Sequence, residues 1–118
     1  MPKTQQFTLY HNPRCSKSRS ALALLREHGI EPKIIEYLQS PPTAVELKGL
    51  LKKLGLKPAD VIRKSEDEYK IYAKKDLSDA EWIDAIAQHP ILLERPIVVR
   101  GDRAVVGRPP ETVLKLLD

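Results

Sequence analysis

A single cysteine, Cys15, a single phenylalanine, Phe7, and a single tryptophan, Trp82, stand among 118 residues. One thiol excludes an internal disulfide, so the chain is not a stapled extracellular scaffold and the reducing cytoplasm is its expected compartment. Few aromatics, and basic residues scattered along the chain, exclude a stacking platform for single-stranded nucleic acid; no nucleic-acid partner is expected. Long hydrophobic runs are missing too. Stretches such as Ala21 to Leu25 fall far short of the roughly 20 residues that cross a bilayer, so no membrane partner is expected. The opening residues Met1 to Gln6 are polar and lack the apolar core of an export signal. The three histidines, His11, His28 and His89, have no ligand spacing with Cys15, so no metal is expected, and nothing asks for a bound cofactor.

What is present is an ordinary globular balance. Apolar residues make up 42% and charged residues 31% of the chain, too much hydrophobic content for a disordered tail. At this length one domain, residues 1–118, is expected. Lys and Arg exceed Asp and Glu by 20 to 16, a formal charge of +4. So mild an excess suits a solvated surface or a site that gathers small anions.

Phe7-Thr8-Leu9-Tyr10 is a β-prone run, His11-Asn12-Pro13-Arg14 is turn-rich, and a helical pattern begins near Ser16 and ends near His28, with Gly29 as its left-handed cap. Lys33 to Tyr37 reads as a second strand, parallel to the first. After Pro41-Pro42, Thr43 with Glu46 makes a capping box for a helix through Leu54, closed by Gly55. Shorter helical pieces follow from Pro58 to Lys74. Ser78 with Glu81 opens another helix, which His89-Pro90 terminates. Pro96 to Arg100 and Ala104 to Val106 form a hairpin about Gly101-Asp102, and a last helix runs from Pro110 to Leu117. The order β-α-β, helical insertion at about 43–90, β-β-α defines an α/β fold of thioredoxin or glutaredoxin type, a small mixed sheet flanked by helices.

Cys15 lies where the first loop meets the first helix, a place where free backbone N–H groups and the helix dipole favour negative charge. His11, Arg14, Lys17 and Arg19 add positive charge nearby, a setting that lowers a thiol pKa. The spacing excludes two chemistries. A phosphatase-type C-x5-R loop is absent, because Arg19 follows Cys15 after only three residues. A C-x-x-C dithiol is absent as well, because Ser18 holds the second position; any redox work requires a second thiol from another molecule.

His11-Asn12-Pro13-Arg14-Cys15-Ser16-Lys17-Ser18-Arg19, with Glu94-Arg95-Pro96-Ile97-Val98-Val99 and Gly107-Arg108-Pro109-Pro110-Glu111, resembles the glutaredoxin-linked arsenate reductase family along nearly the whole chain. The resemblance implies that Cys15 attacks arsenate or a related oxyanion, that Arg63, Arg95 and Arg108 cradle it, and that His11 helps to lower the thiol pKa. Glutathione, a co-substrate, then joins the arsenic before glutaredoxin completes the reduction. Guanidinium groups suit this task, being always charged and presenting a planar fork of donors. Arg95-Pro96 matches the cis-proline bond of the fold. Ser16-Lys17-Ser18 departs from the family's usual Gly-Thr-Ser and adds a charge beside the cysteine. A monomer is expected.

Two other functions fit the same residues. One is a glutathione-dependent reductase of mixed disulfides; the other is a non-enzymatic redox-type transcription regulator, since the fold family includes one that binds RNA polymerase. Such regulators use a C-x-x-C switch, which Ser18 removes here.

Overall fold

A computed structural model describes residues 6–117. The polar start from Met1 to Gln5, part of the segment read as lacking an export signal, lies outside them. Among the described residues no helix is long and apolar enough to cross a membrane. The chain divides into two compact units. Described residues through Ser40, with those from Arg95 onward, form one unit; Pro41–Glu94 forms the other.

The first unit holds a four-stranded sheet. Strands β1 (Phe7–Tyr10), β2 (Lys33–Ile35), β3 (Ile97–Arg100) and β4 (Arg103–Val106) lie in the order β2-β1-β3-β4. β1 runs parallel to β2 and antiparallel to β3, and β3 with β4 forms a hairpin. Gly101 turns that hairpin at φ 61, a left-handed conformation that glycine enters without a Cβ clash. Helix α1 (Ser16–Glu27) is the crossover between β1 and β2. Its Ala21 and Leu25 pack with Phe7 and Leu9 of β1 and Val98 of β3, and the core closes on Val113 and Leu116 of a 3-10 helix, Pro110–Leu116. That element is tighter than an α-helix. It is short and proline-led, and its bonds Thr112 N–H to Pro109 and Leu117 N–H to Leu114 span three residues. Arg100 and Arg103 pin its end, donating from Nη1 and Nη2 to the Leu116 carbonyl at 2.7 and 3.3 Å. This is the thioredoxin-like arrangement expected from the element order.

β2 is shorter than expected. It stops at Ile35, because the Glu36 carbonyl accepts the N–H groups of both Gln39 and Ser40 at 2.9 Å and bends the chain into a turn that takes in Tyr37. Likewise β3 begins at Ile97, since Pro96 has no N–H to give a ladder.

The second unit is helical. Helix α2 (Ala44–Leu54) starts at Thr43, whose hydroxyl accepts the Glu46 N–H at 3.1 Å while the Glu46 carboxylate accepts the Thr43 N–H at 2.9 Å. Helix α3 (Asp79–Gln88) starts at Ser78 with the same reciprocal pair to Glu81. Gly55 closes α2 at φ 69. Leu47, Leu50, Leu51, Ala85 and Ile86 are buried on these helices. Between them run 3-10 helices Pro58–Val61 and Asp67–Ile71, and a third, Pro90–Leu92, follows α3.

Candidate functional site

The sheet register determines which loops meet. Tyr10, the last residue of β1, pairs with Ile35, the last of β2, and with Ile97, the first of β3; Ile97 in turn pairs with Val106, the last of β4. The segments that leave β1, β2 and β4, and the segment that enters β3, therefore lie at one end of the sheet. They carry His11 to Cys15, Glu36-Tyr37, Gly107-Arg108 and Arg95-Pro96.

The loop after β1 is built by Asn12, which is buried. Its carbonyl accepts the Cys15 N–H at 2.9 Å and its side-chain oxygen accepts the Arg14 N–H at 3.0 Å, with Pro13 at the position where its fixed φ suits a turn. The Arg19 guanidinium donates to the Pro13 carbonyl at 3.0 Å and fastens loop to helix. Cys15 is thereby left half-buried as the N-cap of α1, with extended backbone (φ −94, ψ 122). No acidic residue stands in the first turn of that helix to oppose a thiolate.

Burial is the largest influence on the Cys15 thiol and pushes its pKa up. The backbone N–H of Ser18, the Arg95 guanidinium and the backbone N–H of Lys17 outweigh it, so the thiol is held below its ordinary value of 9.0. Lys17 thus acts through its amide. Arg95 responds in kind: burial lowers its pKa, but hydrogen bonding and charge from Cys15 and Tyr37 raise it, and the guanidinium stays cationic.

His11 is buried, and its Nδ1 lies 2.7 Å from the Ser18 hydroxyl. The same hydroxyl oxygen accepts the Asn12 N–H at 3.1 Å. Burial lowers the His11 pKa, Glu36 opposes this, and Arg26 and Arg19 reinforce it, so the ring is held neutral below its ordinary 6.5. His11 meets α1 through Ser18, while the groups that lower the Cys15 pKa are two amides and Arg95.

Arg95-Pro96 is cis, as the resemblance implied for Pro96, and Arg108-Pro109 is cis as well. The Arg108 guanidinium donates from Nε to the Arg95 carbonyl at 2.8 Å. The Gly107 N–H donates to the Pro96 carbonyl at 2.8 Å, continuing the hairpin past its strands. Arg63 belongs to the helical unit. There its Nε lies 3.2 Å from Glu66 Oε2 and its Nη1 lies 2.8 Å from Glu94 Oε1.

Four of the expected side chains, Cys15, His11, Arg95 and Arg108, thus stand with Pro96 at one end of the sheet. Two residues of this end were not singled out as site residues: Ser18, read only as a missing second cysteine, and Tyr37, read as strand. A small hydroxyl three residues after the cysteine, one helical turn on, was the available signal for Ser18. For Tyr37 the sequence offered none. Among the described residues no cluster of three or more His, Cys, Asp or Glu is placed to hold a metal ion.

Residues 10–116 match the ArsC family. This chain belongs to the ArsC family. It is 50% identical over 112 residues to a Haemophilus influenzae protein named arsenate reductase, covering 92% of this chain and 97% of that one. The uncharacterized protein YfgD of Escherichia coli K12 is 48% identical over 117 residues, covering 97% and 98%. Among solved structures, the arsenate reductase from Vibrio cholerae matches with a TM-score of 0.91 at 46% identity, covering 96% of this chain and 98% of that one. The ArsC likeness therefore runs through all four strands and both units.

Proposed function

We propose that this protein is an oxidoreductase that reduces arsenate to arsenite, with Cys15 as the nucleophile and glutathione and glutaredoxin as the reductants. The observation that carries the proposal is the niche of Cys15: a thiol at a helix N-terminus, its anion favoured by two amides and the Arg95 guanidinium. The resemblance to proteins named arsenate reductase supplies the substrate.

In this scheme the Cys15 thiolate attacks arsenic(V), a sulfur–arsenic bond forms, and one oxygen leaves as water after taking up a proton. Arg95 and Arg108 offset the charge on the remaining oxygens. Arg63 is given the same task by the resemblance alone. Glutathione then joins the arsenic as a second sulfur ligand, and a second oxygen leaves as water with the proton of the glutathione thiol. A glutaredoxin thiol then attacks the glutathione sulfur; an S–S bond forms, the arsenic–sulfur bond breaks, and its electron pair stays on arsenic, now arsenic(III). Water cleaves the Cys15–arsenic bond, which releases arsenite and restores the thiol. In sum, arsenate and two thiols give arsenite, one mixed disulfide and water. His11, kept neutral on Ser18, holds the loop that presents Cys15. No resident cofactor takes part in the scheme.

The test is arsenate-dependent NADPH oxidation by the purified protein in the presence of glutathione, glutaredoxin and glutathione reductase. Turnover is expected for the natural sequence and none for Cys15→Ser, whose fold should be retained.

A further inference from the structure

We propose that Glu66 and Glu94 are specificity-determining residues: their carboxylates occupy both donor edges of the Arg63 guanidinium, and so set how strongly the protein holds an oxyanion. This rests on the reading that gives Arg63 a share of the oxyanion, and it gives a task to two residues that the reductase scheme does not use.

All three residues belong to the helical unit, and its backbone brings them together. Ile62 and Leu93 form an antiparallel bridge. On either side of it the Arg63 N–H donates to the Leu92 carbonyl and the Glu94 N–H to the Val61 carbonyl, each at 2.7 Å. Val61, Ile62, Leu92 and Leu93 are buried, so packing holds the bridge as well as its bonds, and Arg63 and Glu94 stand as diagonal neighbours across it. Glu66 returns through a turn in which its N–H donates to the Arg63 carbonyl at 3.3 Å. The side chains complete the cluster. Arg63 donates from Nη1 to Glu94 Oε1 at 2.8 Å and from Nε to Glu66 Oε2 at 3.2 Å. Arg63 is 15% exposed, Glu66 23% and Glu94 25%, so water screens these pairs less than it screens ion pairs on an open surface.

A guanidinium grips an oxyanion with two parallel bonds along either of two edges, Nε with Nη2 or Nη1 with Nη2. Arg26 shows the first edge in full, donating to Glu31 from both Nε and Nη2. In Arg63 one donor of each edge is spent: Glu66 takes Nε and Glu94 takes Nη1. An oxyanion therefore gains a two-bond grip on Arg63 only by displacing a carboxylate. Two carboxylates against one guanidinium also leave the cluster formally negative, which opposes the approach of an anion.

Glu94→Gln keeps the shape of the side chain and removes its charge. The readout is the arsenate concentration that halves the rate of Cys15 alkylation by iodoacetamide, at constant ionic strength and without glutathione, with circular dichroism to verify folding. We expect that concentration to fall about three- to tenfold, the size of one net hydrogen bond. In an Arg63→Met background the same change should lower it by about twofold or less, the share of a lost charge acting through salt-screened water. An unchanged or raised concentration in folded Glu94→Gln, or an equal fall without Arg63, overturns the proposal. Arsenate that shields Cys15 in none of these proteins overturns it as well. Glu66→Gln, which releases the other edge, serves on the same readout where the Glu94 variant does not fold. The readout needs no turnover, so failure here is distinct from failure of the reductase function.

Discussion

The His11 ring and the Ser18 hydroxyl meet at 2.7 Å, and the oxygen that engages the ring also accepts the Asn12 N–H at 3.1 Å. One buried hydroxyl thus ties the loop after β1 to the first turns of α1. Ser18→Ala leaves a buried N–H and a buried ring nitrogen without that partner. A loss of about 1–3 kcal/mol is expected, to be read by urea denaturation at neutral pH. A loss below about 0.5 kcal/mol would mean that water replaces the hydroxyl.

The neutral state of His11 has a pH signature. Its folded pKa is lowered, chiefly by burial, below the 6.5 of a free histidine. Between those two values the unfolded chain takes up a proton that the folded protein refuses. The contribution of His11 to stability is therefore complete above about pH 6.5 and is lost as pH falls toward the folded pKa. The comparison is with His11→Gln, whose side chain takes up no proton in this range. The urea midpoint of the natural protein should drop more between about pH 7.5 and 5.5 than that of the variant. Equal drops would place the charge change elsewhere.

Gly107 is a packing requirement. A Cβ there would lie 2.9 Å from Pro96 Cγ and 3.2 Å from Val113 Cγ1. The first of these belongs to a ring that cannot swing aside, and the N–H of Gly107 is bonded to the carbonyl of that same proline. Gly107→Ala is expected to cost about 1–3 kcal/mol, the usual range for overpacking a filled site, and to lower the thermal midpoint. Because Pro96 follows Arg95, the variant should also slow Cys15 alkylation at fixed pH. Natural stability and reactivity in Gly107→Ala would show that the hairpin end yields freely.

Much of this was legible where short-range chemistry decides the structure. Thr43 with Glu46 and Ser78 with Glu81 are complete within three residues, so both helix starts could be placed from the sequence and both capping boxes are formed. Gly55, Gly29 and Gly101 sit at positive φ where helix ends and a hairpin need it. The turn at Tyr37 carries no Gly or Pro; it forms because two amides converge on the Glu36 carbonyl, and β-prone residues up to that point hid it. Ser18 is legible as a helix residue but not as the partner of His11, since that bond depends on how the loop returns. The partners of Arg63 are one near and one far, Glu66 three residues on and Glu94 thirty-one residues on. No local pattern could join the second. The neighbourhood of Arg95 and Cys15 follows from strand register, which the element order suggests and only the pairing establishes.

We propose that Cys15 holds arsenic covalently while glutathione and glutaredoxin thiols reduce it, and the most direct measurement is the arsenic itself. Arsenate, glutathione and glutaredoxin are incubated with the natural protein or with Cys15→Ser, and arsenite is separated and quantified against NADPH consumed through glutathione reductase. One arsenite per NADPH is expected with the natural protein and background only with the variant. Arsenite formed equally by Cys15→Ser, or none formed while a glutathionylated disulfide is turned over, would contradict it.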